Sequence, residues 1–243
     1  MVNWFWQKSA RRTKRSDAPR LRPRSEDATS ATKIDLAELA PHLDRYLGQA
    51  AYLQLSIFED LATLVATAPT IAGKEALSRA VAVSLRRFEK LAEEIRRSGK
   101  APTAAMEPYT PAIDFFQSVT QGRDYFESLI TSHITAGILD DFFERLAAGL
   151  PRAEAQRIAA IYSAESHEDL LAAQIRLGIQ ANPQLAAGLA LWGRRLVGDC
   201  ILVARSSLAT PPASATDEAR IEPVFTELIA AHTRRMDALG LTA

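Results

Sequence analysis

Residues 129–147, LITSHITAGILDDFFERLA, decide the fold class. Leu129, His133, Ala136, Asp140, Phe143 and Ala147 recur there at alternating spacings of four and three. That period lines side chains along one face of an α-helix and not along a strand. Asp124 offers an N-cap and Gly149 a glycine stop, so the spacing predicts a helix over 124–148.

The same period extends outward in both directions. A helix is expected over 42–67, stopped by Pro69, and another over 71–98, closed by Gly99. Pro102, Pro108 and Pro111 break up 101–122 around one apolar stretch, Ile113–Phe116, which predicts a crossover holding a short helix. Downstream, one helix is expected over 152–180, a second over 183–208 after Asn182-Pro183, a loop over 210–215 and a last helix over 217–239. No alternating segment bounded by hairpin turns is found, so the class is all-α. Two short links and one long crossover joining four long helices are the plan of a ferritin-like four-helix bundle, with two additional C-terminal helices.

Composition removes several classes of function. Of 243 residues 47% are apolar, enough for a sizeable core. The single cysteine, Cys200, excludes a disulfide framework and any multi-cysteine metal site, and on an apolar helix it reads as a small buried residue. With four histidines, a metal site would have to lean on carboxylates. No apolar run is long enough to span a membrane. Trp4-Phe5-Trp6 runs straight into Lys8, Arg11 and Arg12, unlike a secretory signal, so a cytoplasmic location is expected. The 29 basic and 29 acidic residues balance, but unevenly. Residues 1–33 hold nine basic residues against three acids, a net +6, which leaves −6 on 34–243. The division is therefore a disordered basic tail, 1–33, and a helical domain, 34–243. The tail could touch RNA or an anionic membrane surface, or simply solubilise the chain.

The inward rows carry the candidate chemistry. They read Leu47, Ala51, Gln54, Phe58, Leu61 and Val65 in the first helix, and Leu77, Val81, Ser84, Phe88, Leu91 and Ile95 in the second. In the fourth they read Ala160, Ala164, His167, Leu171, Gln174 and Gly178. Each long helix has a polar or very small residue near the middle of its row. Phe115, Phe116, Phe142, Phe143 and Phe225 read as core.

At this level the chain resembles actinobacterial ferritin-like proteins related to tRNA isopentenyl-adenosine hydroxylase (MiaE-like). The resemblance covers most of 44–240. It is carried by AYLQLSIFEDLA (51–62), APTIAGKEALSR (68–79), FEKL (88–91), DDFFERLAAGLP (140–151), LALWGRRLVGD (189–199) and HTRRMDALGL (232–241). It implies a ferritin-like bundle and, from the family's best-understood relatives, a di-iron monooxygenase acting on a modified adenosine in tRNA. Such a centre takes a Glu from each of two helices and a Glu-x-x-His from each of two more. Placed on this chain, those positions fall on Gln54, on Ser84 and Arg87, on Ala136, and on Ala164 and His167. His167 alone keeps a ligand. Gln, Ser and Ala cannot offset the charge of two metal ions, and Arg87 adds a further positive charge. Arg87 is instead expected to replace the metal, pairing with a carboxylate such as Glu59, Glu89, Asp140 or Asp141.

A shifted ligand set would draw on Glu59, Asp140, Asp141, Glu144 and His167, or on Glu89, Glu165 and Glu168. The alternative for each is a solvated helix face or an ion pair. Arg194 and Arg195 beside Trp192 and Asp199, and Arg234 and Arg235 beside His232, offer RNA or phosphate contacts; otherwise they pair with carboxylates. The expected function is that of a non-catalytic binding or scaffold protein, self-associating and without a cofactor. The alternative is a di-iron tRNA hydroxylase.

Overall fold

The computed structural model describes residues 36–209 and 215–242. The expectations for the tail, 1–33, and for the loop over 210–215 as far as 214 lie outside the described residues; Ala215, expected in that loop, already belongs to a helix. Among the described residues there are nine α-helices and no strand. They are α1 (Leu43–Thr67), α2 (Ile71–Arg97), α3 (Pro102–Met106), α4 (Thr110–Thr120), α5 (Tyr125–Ala147), α6 (Arg152–Ala164), α7 (Glu168–Ala181), α8 (Leu185–Ser206) and α9 (Ala215–Ala238).

Local chemistry sets most of the boundaries. Thr70 caps α2 by accepting from the Gly73 amide at 3.0 Å. Gly99, at φ +82°, closes α2 with its amide on the Arg96 carbonyl and the Lys100 amide on that of Ile95. Asp124 caps α5 by accepting from the Glu127 amide at 2.9 Å. Gly240, at φ +72°, ends α9 in the same left-handed way as Gly99 ends α2.

The helices α1, α2, α5 and the α6–α7 segment form the four-helix bundle. α1 lies against α2 and α5, while α6 and α7 close the other side against α2 and α5. The crossover lays α3 and α4 along α1. α8 and α9, the two additional C-terminal helices, cover the remaining side of α5. Every residue of α5 from Leu129 to Leu139 is therefore buried. Tyr46, Phe142 and Phe143 meet edge to face in the core, and Phe142 stacks on Phe225 of α9.

Three expectations are corrected. The segment 152–180 is not one helix: α6 ends at Ala164, Glu165 is extended, and α7 starts at Glu168. The inward row of that segment is consequently wrong in its first half. Ala160 and Ala164 are exposed, and Ile158, Ile161 and Tyr162 face inward instead. Phe115 is not core; it stands 67% exposed on α4 beside the buried Phe116. The crossover also holds two helices where one was expected.

Gly48 lets the crossover approach α1, because a Cβ there would lie 2.2 Å from the Ala105 carbonyl oxygen. Gly48→Ala is expected to destabilise by about 1–3 kcal/mol. Gly188→Ala, where a Cβ on α8 meets nothing, is expected to stabilise by about 0.5–1 kcal/mol. Urea midpoints at constant m-value check both; a Gly48→Ala protein as stable as the parent would rule out this close contact.

Candidate functional site

The middle of α2 sends Arg87 across the bundle interior. Its guanidinium meets three acceptors on two other segments. Nη1 pairs with the Asp140 carboxylate of α5, and Nη2 donates to the carbonyls of Tyr162, at 3.0 Å, and Glu165, at 2.6 Å. Those carbonyls belong to the last turn of α6 and the break after it. A helix C-terminus leaves four carbonyls without intrahelical donors. Arg87 supplies donors to two carbonyls at this break, which explains how the chain interrupts its fourth long segment beside the bundle core. The Tyr162 ring lies against the guanidinium, with its centroid at 5.4 Å.

Asp140 is held from both sides. While Oδ2 faces Arg87, Oδ1 accepts from the Gln54 amide of α1 at 2.7 Å. Side-chain exposure of Arg87 and Asp140 is 6% and 13%, so water screens the pair little. The sequence-predicted positions divide around this pair. Gln54 and Arg87 join it, and Ser84 and Ala136 are buried one turn before Arg87 and Asp140. The Ser84 hydroxyl has no partner among the described residues. His167 lies at the break, its Nε2 3.6 Å from Asp140 Oδ2, beyond hydrogen-bond range. Ala164 lies away from the pair, exposed at the end of α6.

The other proposed ligands do not converge. Glu59, Glu89 and Glu144 are exposed, and Glu165 pairs with Arg86 at the surface. Asp141 and Glu168 hold Arg235, at 2.6 and 3.1 Å. Of the four surface-contact candidates, Arg194, Arg195 and Arg234 are exposed, with Arg195 over the Trp192 ring, while Arg235 is half-buried against those two carboxylates. Gly137 makes room for Arg235, since a Cβ there would sit 3.0 Å from its Nε.

Burial sets the protonation of the imidazoles. It pushes His133 down to about 3, helped by Arg235 and the neighbouring His167. It pushes His232 down to about 4, again with Arg235. His167 is lowered by burial, with Asp140 opposing and Arg87 assisting. All three rings are neutral near pH 7. A cavity of about 250 Å³ opens beside the Arg87–Asp140 pair, and His133, His167 and Tyr162 are among its walls. Burial also pushes the Cys200 thiol up to about 12, so it stays protonated and inert.

This centre does not fit a pair of iron ions. Two such ions need several anionic ligands free to coordinate, whereas the carboxylate beside Arg87, Asp140, is taken up by a guanidinium and an amide, and Asp141 and Glu168 on the same cavity hold Arg235. No three His, Cys, Asp or Glu side chains among the described residues lie where they could hold a metal ion. Sequence reading singled out Arg87, Asp140 and Gln54 but not Tyr162 or the Glu165 carbonyl. A signal for the break was present: the Ser166 hydroxyl accepts from the Glu168 amide at 3.1 Å, and Glu168 and Asp169 fill the first turn of α7.

Two comparisons bear on the chain. Residues 42–213 match a family model described as the ferritin-like domain of actinomycetes. Among curated proteins, no match is found.

Breaking the interior pair by Arg87→Met or Asp140→Asn is expected to cost about 3–5 kcal/mol each, because a buried charge is left alone. Arg87→Met with Asp140→Leu should cost well below the sum of the single losses. Strictly additive losses in denaturant would show that the two residues are not a unit. The histidines predict a pH dependence. From pH 6.5 down toward 3 the unfolded chain binds protons that the folded chain refuses, so they lower stability as pH falls. His133→Leu removes one such site and should flatten the slope between pH 4 and 6 by about 1.4 kcal/mol per pH unit at most. An unchanged slope would mean that His133 is protonated in the folded protein.

Proposed function

The chain belongs to the ferritin-like domain family of actinomycetes, and from that premise we propose that it is a ferritin-like protein whose bundle binds or scaffolds and does no di-iron chemistry. One observation carries the reading: a guanidinium and a carboxylate neutralise each other at the middle of the bundle, at the level where this architecture builds its metal centres. The guanidinium brings its own positive charge, satisfies Asp140 and ties the α6–α7 break to α2. A cation at that point would have to displace Arg87 and leave two carbonyls without donors.

The partner class is part of the proposal. Phe115 on α4 and Leu191 and Leu202 on α8, each about two-thirds exposed, support self-association. The +6 charge of residues 1–33 supports contact with RNA or another anionic surface. The likeness to tRNA isopentenyl-adenosine hydroxylases keeps a di-iron monooxygenase as the reading to be tested against.

Elemental analysis of protein made in iron-supplemented medium makes the test, with His167→Ala beside it. The expectation is no stoichiometric iron in either protein. About two irons per chain, lost in the variant, would overturn the proposal in favour of the hydroxylase. Sedimentation velocity on the same preparation should show a species larger than the monomer, and a monomer throughout would remove self-association from the proposal.

A further inference from the structure

A second cavity, of about 290 Å³, is built from the ends of α1 and α4 and the start of α5. It shares no wall residue with the cavity beside Arg87. Its walls include Asp60, Thr63, Thr67, Thr120, Tyr125 and Thr131.

Four threonine hydroxyls of this wall have already given their protons away. Thr63 donates to the Glu59 carbonyl at 3.1 Å, Thr67 to that of Thr63 at 3.2 Å, and Thr120 to that of Phe116 at 2.7 Å. Thr131 donates to the Glu127 carbonyl at 2.8 Å and accepts from the Trp192 indole at 2.8 Å. A hydroxyl has one donor and two acceptor sites, so what these side chains still offer is lone pairs. Asp60 adds a carboxylate. Burial pushes it up to about 6, with Glu59 adding to the rise and the Gln117 side chain opposing it; none of these groups is a cation. Arg123, at the same cavity, is occupied elsewhere: it grips Glu127 in a bidentate pair and lies over the Trp192 ring. Above about pH 6 the cavity thus holds a poorly hydrated negative charge that makes no ion pair among the described residues, inside an acceptor-rich wall.

We propose that this cavity binds a small organic cation bearing several N–H donors, an alkylammonium, with Asp60 as counter-charge and the hydroxyl oxygens of Thr63, Thr67 and Thr120 as acceptors. An ammonium supplies three donors and no acceptor, which matches what the wall lacks. The Tyr125 ring adds an aromatic surface suited to a cation. An anion would meet the Asp60 charge, and a neutral polyol would leave it uncompensated while asking for donors that these hydroxyls have already used. A bare divalent metal would need further anionic or imidazole ligands, and no such cluster occurs among the described residues.

Calorimetric titration of the full chain with 1,4-diaminobutane tests this, with glucose and sulfate as neutral and anionic controls. The diamine should bind at pH 7.5, and the controls should not. Asp60→Asn should weaken binding at least about tenfold while the ligand-free protein melts no lower than the parent, since the change removes an uncompensated charge. Affinity in the parent should fall about tenfold between pH 7.5 and 5, as a carboxyl titrating near 6 takes up its proton. The charged groups sharing the cavity are Arg123 and Asp124 before α5, with Glu59 beside Asp60 on α1, and α4 contributes the neutral Gln117. Near pH 6 binding should also release about half a proton per cation, read from the buffer dependence of the heat, which needs no variant. Thr63→Val should weaken binding a few-fold. No diamine binding at about 10 mM, equal affinity in Asp60→Asn, absence of proton release, or tighter binding of glucose or sulfate would each overturn the proposal.

Discussion

The fold turns on the three-way grip of Arg87. A buried ion pair by itself gives little net stability, because desolvating both charges offsets most of their attraction. Arg87 does more than pair with Asp140. Its second amino group takes two backbone carbonyls at the end of α6, of which that of Tyr162 would otherwise be buried without a donor. One side chain from α2 therefore fixes the register of α5, the point where the fourth segment breaks, and the neutrality of the interior. Gln54 completes the arrangement from α1, so all four sides of the bundle contribute to one polar network.

That network lies beside the helix with the strongest packing constraints. α5 is enclosed by α1, α6, α7, α8 and α9, and small residues allow the close approaches. Gly137 admits Arg235, Gly178 admits the Phe126 ring, and Gly193 admits Met236. Enclosure also dictates the chemistry. His133 and His167 are kept neutral by burial, and in the cavity beside them Arg87 is paired with Asp140, and Arg235 with Asp141 and Glu168.

Legibility in the sequence followed the range of each interaction. The ends of α2 and α5 were readable because Thr70, Gly99 and Asp124 act within one turn of themselves. The inward rows of α1, α2 and α5 were readable because a 3.6-residue period is a one-dimensional signal. Arg87 stood out because the resemblance places a ligand position of a metal centre on it, and Asp140 was among the carboxylates proposed to meet it. The α6–α7 break was missed, although Ser166 and the acidic turn after it signalled a helix start. The residues of 152–180 keep helical spacing across the break, so the period alone could not show it. Phe115 was misplaced for a related reason: in a short helix among prolines, adjacent aromatics give no period to say which one faces inward.

The sequence by itself determined an all-α chain, a long crossover and inward rows with Gln54, Ser84 and Ala136 near their middles. These are properties of composition, spacing and local capping, which act over a few residues. Only the tertiary structure decided that Asp140 is the carboxylate Arg87 meets, that backbone carbonyls of a broken helix complete its shell, and that hydroxyls from α1, α4 and α5 line one cavity with Asp60. Each depends on groups dozens of residues apart in the chain, and a carbonyl oxygen or a spent hydroxyl proton is the same in every sequence until the fold places its partner.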